Sequence, residues 1–145
     1  MEKRLNKFVE KLQEQILEET RKVYSEEVID HWMHPRNWGL LSHAHGYGRI
    51  RGPCGDTMEI SFRVRNGKIT GCGFTTDGCG TAIACGSMTT QLILGKRVHE
   101  ASSITEETIL EAFGGLPQRD HHCAILAADT LHHAIKKYEE RRLGR

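Results

Sequence analysis

The chain has 145 residues, 38% hydrophobic and 27% charged, which is long enough for one domain with a buried core. Its net charge of +1 gives no reason to expect nucleic acid, and no apolar run is long enough to cross a bilayer. The N-terminus lacks the apolar core of a secretory signal, and its many glutamates argue against a mitochondrial presequence. We therefore expect a cytoplasmic protein.

The first 22 or so residues are predicted to form an amphipathic helix, because their apolar residues recur at helical spacing. These residues are Leu5, Phe8, Val9, Leu12, Ile16 and Val23. The polar face carries charges of both signs, which does not suit an anionic membrane surface. We expect the helix to pack on the core or on a neighbouring subunit.

A second helix is predicted to begin at Ser25, a hydroxyl N-cap followed by two glutamates, and to end before Pro35. His31 and His34 lie near its end and are expected to be solvated. The following segment, residues 42–48, is predicted to be a loop. Its two histidines, at 43 and 45, are only a weak indication of metal binding.

Strands are predicted from Gly48 onward, beginning with residues 48–51 and a loop at residues 52–56. Residues 57–65 alternate apolar and polar side chains, which is typical of a half-buried strand. Asn66-Gly67 predicts a type I′ hairpin turn into a third strand, residues 68–76.

The hairpin leaves one question about which face of the sheet is buried. A two-residue turn pairs Val64 with Ile69 on the core side, and alternation then places Phe74 on the opposite face. Either Gly71 or Gly73 marks a bulge that returns Phe74 to the core, or the sheet is covered on both faces.

Three more helices are predicted downstream, beside a short turn at residues 98–102. One follows Cys79 and ends near Leu94, with Cys85 inside it. Another is capped at Thr105 and ends at Gly114-Gly115, and the last begins with Asp120 as its N-cap. The apolar positions of the last helix are Leu126, Ala127, Leu131, Ala134, Ile135 and Tyr138.

The five cysteines are an odd number without Cys-x-x-Cys spacing, which argues against a disulfide framework and for metal binding, catalysis or burial. Cys79 sits between two glycines, which let the backbone take conformations forbidden to other residues, at a helix start where the dipole favours thiolate. Cys54 and Cys123 lie in similar places, and we expect the three to meet at one end of the fold. Cys72 and Cys85 are expected to be packing residues.

Two further groups accompany these cysteines: Asp56 follows Cys54 by two residues, and His122 precedes Cys123. Three thiolates with a carboxylate or imidazole suit tetrahedral Zn²⁺ or an iron–sulfur cluster. A mixed shell close to solvent would bind a cluster less permanently than four thiolates. Structural zinc without turnover is the plainer alternative, and a cysteine hydrolase is weaker because only His122 could partner a cysteine.

Several motifs together resemble the iron–sulfur cluster scaffold family, IscU and the N-terminal domain of NifU. The opening is residues 24–31, Tyr-Ser-Glu-Glu-Val-Ile-Asp-His, followed by Pro-Arg-Asn-x-Gly at residues 35–39. Cys-Gly-Asp at residues 54–56, Gly-Cys-Gly-x-Ala-Ile-Ala at 78–84 and His-Cys-x-Ile-Leu-Ala at 122–127 match the family's three cysteine motifs in order. The resemblance covers roughly residues 24–140.

The resemblance implies an α+β fold, a three-stranded antiparallel sheet with about five helices, in a scaffold domain at residues 24–145 behind a helical extension at residues 1–23. It implies a scaffold rather than an enzyme. Such a protein assembles a transient [2Fe–2S] cluster from iron and from sulfur delivered as persulfide by a cysteine desulfurase, and transfers it to apo-proteins such as apo-ferredoxin. Zinc at the same site and homo-oligomerisation are compatible with the resemblance.

The resemblance also implies roles for individual residues. The cluster ligands and persulfide acceptors would be Cys54, Cys79 and Cys123. Asp56 would be a ligand or a group that makes the cluster labile, and His122 would be an alternative ligand.

Four departures from the family pattern matter. The chaperone-recognition stretch, Leu-Pro-Pro-Val-Lys in the family, is Leu-Pro-Gln-Arg-Asp at residues 116–120, which argues against docking of an Hsp70-type chaperone. His121 adds an imidazole, Cys85 replaces a serine, and Asp77 replaces a tyrosine. The insertion that marks the zinc-dependent SufU branch is missing, which favours the scaffold. Zinc-dependent sulfur transfer is the alternative function.

Overall fold

The computed structural model describes residues 2–144, and within them it confirms the predicted α+β fold. An antiparallel sheet in the order β1-β2-β3 is accompanied by six α-helices. The strands are β1 (Gly46–Arg51), β2 (Thr57–Arg65) and β3 (Lys68–Thr76). The helices are α1 (Glu2–Val23), α2 (Glu26–Met33), α3 (Gly80–Ile93), α4 (Val98–Ala101), α5 (Glu106–Phe113) and α6 (His121–Arg142), the last preceded by a 3-10 turn, Gln118–Asp120.

Local sequence signals account for most element ends. The Ser25 hydroxyl accepts a hydrogen bond from the backbone N–H of Val28 at 3.3 Å and caps α2 as predicted. Asn66 and Gly67 both have positive φ, 54° and 78°, which confirms the type I′ turn. Gly114 ends α5 with a φ of 73°, where other residues would be strained.

A bulge settles the question of the sheet's two faces. Arg63 pairs with Gly71 but Val64 pairs with Ile69, so β3 has one extra residue there. Beyond the bulge Phe74 pairs with Ile60, and both side chains are fully buried on the core face. The extra residue is Thr70, next to Gly71, so a bulge beside Gly71, rather than one at Gly73, returns Phe74 to the core.

Helices α3 and α6 pack on the core face of the sheet at very short range. A Cβ at Gly86 of α3 would lie 2.4 Å from the Phe74 ring. A Cβ at Gly48 of β1 would lie 2.5 Å from the backbone nitrogen of Ala134 in α6. Glycine at these two positions lets the helices approach the strands, and this packing positions the start of each helix at one end of the sheet.

The prediction that His31 is solvated is wrong. His31 is only 1% exposed, and its Nδ1 lies 2.7 Å from the Ser87 hydroxyl of α3. Its ring also packs edge-on against Phe113 at a centroid distance of 5.8 Å. His31 therefore anchors α2 to the interior through Ser87 and Phe113. Periodicity alone could not reveal this pairing, because His31 and Ser87 lie 56 positions apart.

The helix α1 forms as predicted, but the core does not cover its apolar face. None of its described residues is buried, and it packs mainly against α2. Leu17 and Thr20 on the α2 side are only half-buried. Packing on a neighbouring subunit, and the division of the chain at residue 23, stay predictions. Among the helices of residues 2–144, none has the length and apolar character needed to span a membrane.

Candidate functional site

The three cysteine motifs come together at one end of the sheet. Arg51 pairs with Thr57, and Met58 pairs with Thr76, so the β1–β2 loop lies beside the exit from β3. The loop carries Cys54 and the exit leads directly into Cys79. The start of α6, which packs along β1, brings Cys123 to this region as well.

The two loops are tied by hydrogen bonds that do not involve the cysteines. The backbone N–H of Thr57 donates to the Asp77 carboxylate at 2.7 Å, and the N–H of Asp77 donates to the Thr57 carbonyl at 3.3 Å. The N–H of Gly52 donates to the Asp56 carbonyl at 2.7 Å and closes the β1–β2 loop. Asp77, which departs from the family pattern, therefore holds the Cys54 loop against the Cys79 turn.

The glycines beside Cys79 are needed for space rather than for unusual φ, which corrects the sequence interpretation. A Cβ at Gly78 would lie 2.6 Å from the Cβ of Ala82 and 3.0 Å from the Asp56 carboxylate. A Cβ at Gly80 would lie 2.3 Å from the Trp32 ring. In the Cys54 motif, by contrast, Gly55 has a φ of 89°, which does require glycine.

Cys79 and Cys123 interact directly in the candidate site, but they differ in exposure. Cys79 is the exposed N-cap residue of α3, where backbone N–H groups point outward, whereas Cys123 is only 1% exposed. Burial raises the pKa of the Cys123 thiol well above its ordinary range, and the charge of Cys79 and a hydrogen bond to its sulfur raise it further. This environment favours the neutral thiol form of Cys123 over the thiolate.

The Asp56 carboxylate also faces this pair. Together with Asp120 it contributes negative charge that raises the pKa of Cys123. The Cys123 sulfur has His122 Nε2 at 3.5 Å. Asp56, Cys79, His122 and Cys123 thus lie in one neighbourhood, and they offer the carboxylate, thiol and imidazole donors that zinc and iron accept.

Cys54 is positioned differently from the other two motif cysteines. It is exposed in the β1–β2 loop, two residues before Asp56. Within residues 2–144, no three Cys, His, Asp or Glu side chains are already arranged as a metal site. The structure therefore gathers the donors at one end without a completed coordination shell.

Asp120 lies next to the site, and the sequence did not predict its contacts. It stands at the N-cap position of α6 as predicted, but its side chain makes no capping hydrogen bond. It is 8% exposed, and the Tyr24 hydroxyl donates to its Oδ2 at 2.6 Å, with Arg119 at 3.9 Å. Because Tyr24 is 96 positions away, no local pattern could have indicated this pairing.

The remaining cysteines and His121 contact the interior and the loop before α6. His121 Nε2 lies 3.0 Å from the Leu116 carbonyl, in the loop before α6. Cys72 is buried with its sulfur 3.3 Å from the Thr90 carbonyl, and burial raises its pKa to about 12. Cys85 is fully buried below the site, where burial and the charges of Cys123, Asp120 and Cys79 raise its pKa. Both thiols are interior packing residues, as predicted.

A family model and the most similar known sequences point to the same protein family. A family model described as the NifU-like N terminal domain matches residues 23–144. The chain is 44% identical over 117 residues to the iron-sulfur cluster assembly scaffold protein IscU 1 of Archaeoglobus fulgidus, covering 80% of this chain and 76% of that protein. It is 44% identical over 118 residues to the scaffold protein IscU of Aquifex aeolicus, covering 79% and 75%.

Solved structures with low sequence identity share the fold. A nitrogen-fixing NifU-like protein (N-terminal) from Brucella abortus has a TM-score of 0.65 at 17% identity, covering 82% of this chain and 96% of that one. A putative iron-sulfur cluster assembly scaffold protein for the SUF system from Fervidobacterium islandicum has a TM-score of 0.61 at 21% identity, covering 77% and 96%. The sequence matches therefore carry the family assignment, and these structures carry the architecture.

Proposed function

The chain belongs to the family of NifU-like N-terminal domains, and on that premise we propose that it is a scaffold for assembly of a [2Fe–2S] cluster. It receives iron, and sulfur from a cysteine desulfurase, and it passes the finished cluster to apo-proteins such as apo-ferredoxin. The observation that carries the proposal is the shared neighbourhood of Cys79, Cys123 and Asp56 beside the exposed loop of Cys54.

The donor set fits an iron–sulfur cargo. Thiolates are the usual ligands of iron–sulfur clusters, and replacing one by an oxygen or nitrogen donor changes how firmly the cluster is held. We assign Cys54, Cys79 and Cys123 as the thiolate ligands, Asp56 as a ligand or labilising group, and His122 as an alternative ligand. The exposed Cys54 loop completes the shell when the cargo binds.

Sulfur delivery falls to the exposed thiols. In its thiolate form, Cys79 or Cys54 attacks the terminal sulfur of the desulfurase persulfide, forming a new persulfide and releasing the desulfurase thiolate. The transfer is a thiol exchange and needs no external oxidant. Each sulfane sulfur needs two electrons from a protein or small-molecule reductant to become sulfide. Cys123 accepts persulfide less readily while it is buried and protonated, because the thiolate is the nucleophile.

Two features bear on the proposed partners and location. The stretch 116–120 ends with Asp120 turned into the fold against Tyr24, which supports the absence of Hsp70-type chaperone docking there. All five cysteines are free thiols, which fits a reducing cytoplasm.

The zinc-dependent sulfur-transfer alternative is not favoured. The relatives at 44% identity are named IscU, whereas the SUF-system protein is only 21% identical and shows the fold alone. Zinc bound to the isolated protein is still compatible with the same donors.

Anaerobic reconstitution tests the proposal. Incubation with iron, cysteine, a reductant and a cysteine desulfurase should produce the visible absorption of a [2Fe–2S] cluster, and apo-ferredoxin should then acquire that cluster. The proposal fails if the protein instead binds one zinc ion so tightly that no cluster forms and sulfur passes directly to an acceptor. Omitting the desulfurase under sulfide-free conditions is the matched control and should give no cluster.

A further inference from the structure

Asp77 and its neighbours hold the backbone of Thr57, the residue directly after Asp56. The Asp77 carboxylate accepts a hydrogen bond from the N–H of Thr57 at 2.7 Å, and the N–H of Asp77 donates to the Thr57 carbonyl at 3.3 Å. The Thr76 hydroxyl donates to the same carbonyl at 2.7 Å and accepts from the N–H of Gly78 at 3.1 Å. Both backbone polar groups of Thr57 are therefore bonded to the turn that leads to the second cysteine motif.

These contacts restrain the peptide unit between Asp56 and Thr57. A peptide unit is planar, so its C=O and N–H rotate together about the Cα–C bond of the preceding residue. The N–H of Gly52 donates to the C=O of this unit at 2.7 Å, and the Asp77 carboxylate accepts from its N–H at 2.7 Å. Because both sides of the unit are bonded, the direction in which the Asp56 side chain leaves the backbone is restrained as well.

The Asp56 carboxylate lies against the turn at Gly78. A Cβ at Gly78 would lie 3.0 Å from Asp56 Oδ2 and 3.2 Å from Asp56 Cγ, so the missing side chain leaves room for the carboxylate. The charge of Asp56 also reaches the buried sulfur of Cys123. Three consecutive residues thus contribute in different ways: Asp77 holds the backbone of Asp56, Gly78 makes room for its carboxylate, and Cys79 offers a thiol.

We propose that Asp77 is a positioning residue that orients the Asp56 carboxylate in the site and thereby sets how long a bound cluster stays on the protein. The proposal rests on the proposed scaffold function, in which Asp56 is a ligand or a labilising group. The Asp77 carboxylate is bonded to the Thr57 N–H, so Asp77 acts through Asp56 and is not itself a ligand.

The lifetime of the cluster during transfer to apo-ferredoxin, after anaerobic reconstitution, tests the role of Asp77. Asp77→Ala removes the acceptor from an exposed side chain, so the variant should fold. It should change the lifetime by about threefold in the same direction as Asp56→Ala, because a carboxylate that is free to turn loses much of its effect. Asp77→Asn keeps an oxygen acceptor and should restore most of the wild-type lifetime.

Glu100→Ala is the matched control. It also removes a carboxylate that accepts from a backbone N–H, that of Arg97 at 3.3 Å, at the start of α4. This helix follows the end of α3 that is opposite to Cys79, so the variant should leave the cluster lifetime unchanged.

A double variant decides whether Asp77 acts through Asp56. When Asp77→Ala is added to Asp56→Ala, the lifetime should equal that of Asp56→Ala alone, because no carboxylate is left to orient. If the two effects multiply instead, Asp77 acts independently and the proposal is overturned. It is also overturned if Asp77→Asn behaves like Asp77→Ala, because the charge rather than the hydrogen bond would then set the lifetime.

Amide hydrogen exchange of the metal-free chain separates this proposal from the scaffold function. The Thr57 amide should exchange at least about tenfold faster in Asp77→Ala than in the wild type, because its acceptor is removed. Unchanged exchange would show that Asp77 does not hold this peptide unit, and it would overturn the proposal while leaving the scaffold function in place. A wild type that assembles no cluster would instead refute the scaffold function, and the role of Asp77 in cluster lifetime would fall with it.

Discussion

The cysteines of the candidate site fall into two groups, an exposed rim and a buried floor. The rim is formed by Cys54 and Cys79, whose side chains are open to solvent. The floor is formed by Cys123 and Cys85, which are buried and whose pKa values are raised, chiefly by burial. The same side chain is therefore reachable from solvent at the rim and enclosed at the floor, and burial is the main cause of the raised pKa values at the floor.

The difference suggests a division of labour. A thiol that must meet the persulfide of another protein has to be reachable, as the rim thiols are. A thiol that binds iron only when the cargo is present gains from losing its proton at that moment, because metal binding and proton release are coupled. On the proposed function, we expect Cys123 of the floor to help hold the cluster, whereas Cys85 below it only fills space.

The largest expected effect comes from substituting Cys123, with Cys85 of the same floor as the comparison. Cys123→Ser should abolish most cluster formation in the anaerobic reconstitution, because a ligand is lost while the side-chain volume is nearly kept. Cys85→Ser is the matched control: it should keep the cluster, although each variant buries a hydroxyl and should lose about 1–3 kcal/mol of unfolding free energy in urea. Equal loss of cluster in both variants would mean that Cys85 is also a ligand.

Asp56 sits where the rim meets the floor, and its removal should alter cluster lifetime. Asp56→Ala should make the bound cluster several-fold longer-lived, as measured by the decay of visible absorption during transfer to apo-ferredoxin. The carboxylate places negative charge beside the thiols, which opposes a stable thiolate shell. Complete loss of metal binding would show instead that Asp56 is a required ligand. Asp129→Ala, on the exposed surface of α6, should behave like the wild type.

The rim was easier to predict from sequence than the floor. The flanking glycines and the predicted helix start drew attention to Cys79. The hairpin signal at Asn66 predicted the strand pairing that brings the two loops together. The structure alone revealed that Gly78 is needed for close packing against Asp56 rather than for its φ. Such packing joins segments distant in sequence, and alternation or helical spacing carries no information about it.

The buried polar contacts were missed for the same reason. His31 has helical spacing consistent with an exposed flank, but Ser87 of another helix satisfies its ring nitrogen in the interior. The bulge beside Gly71 is only one of the possibilities that the sequence leaves open, because glycine permits a bulge without requiring one.

Two tyrosine-to-phenylalanine variants test how much the hydrogen bond to Asp120, next to the floor, contributes to stability. Tyr24→Phe removes the hydroxyl that donates to the buried Asp120 carboxylate and should cost about 1–3 kcal/mol of unfolding free energy. Tyr47 also donates to a carboxylate, that of Glu59, but it is 40% exposed, so Tyr47→Phe should cost less than about 1 kcal/mol. Urea unfolding of both variants measures the difference. Equal costs would mean that Asp120 finds a replacement partner.

The smallest expected effect is a pH dependence that arises in the interior, away from rim and floor. The Ser87 hydroxyl oxygen accepts from the backbone N–H of Arg36 at 2.8 Å, so its hydrogen is free to bond His31 Nδ1. The neutral ring with its proton on Nε2 fits this network. Burial lowers the pKa of His31 from its ordinary value of 6.5, and Arg36 lowers it further, while Asp30 and Glu27 oppose the shift.

A lowered pKa in the folded state means that the unfolded chain binds the proton more readily. The contribution of His31 to stability should therefore be fully present above pH 6.5 and decline as the pH falls below that value toward the folded pKa. His31→Gln, whose amide oxygen can accept from Ser87, should show a flatter decline in urea unfolding between pH 7 and 5 than the wild type. The exposed His34→Gln is the control and should keep the wild-type slope. If His31→Gln also keeps that slope, the decline originates in other groups and His31 does not set it.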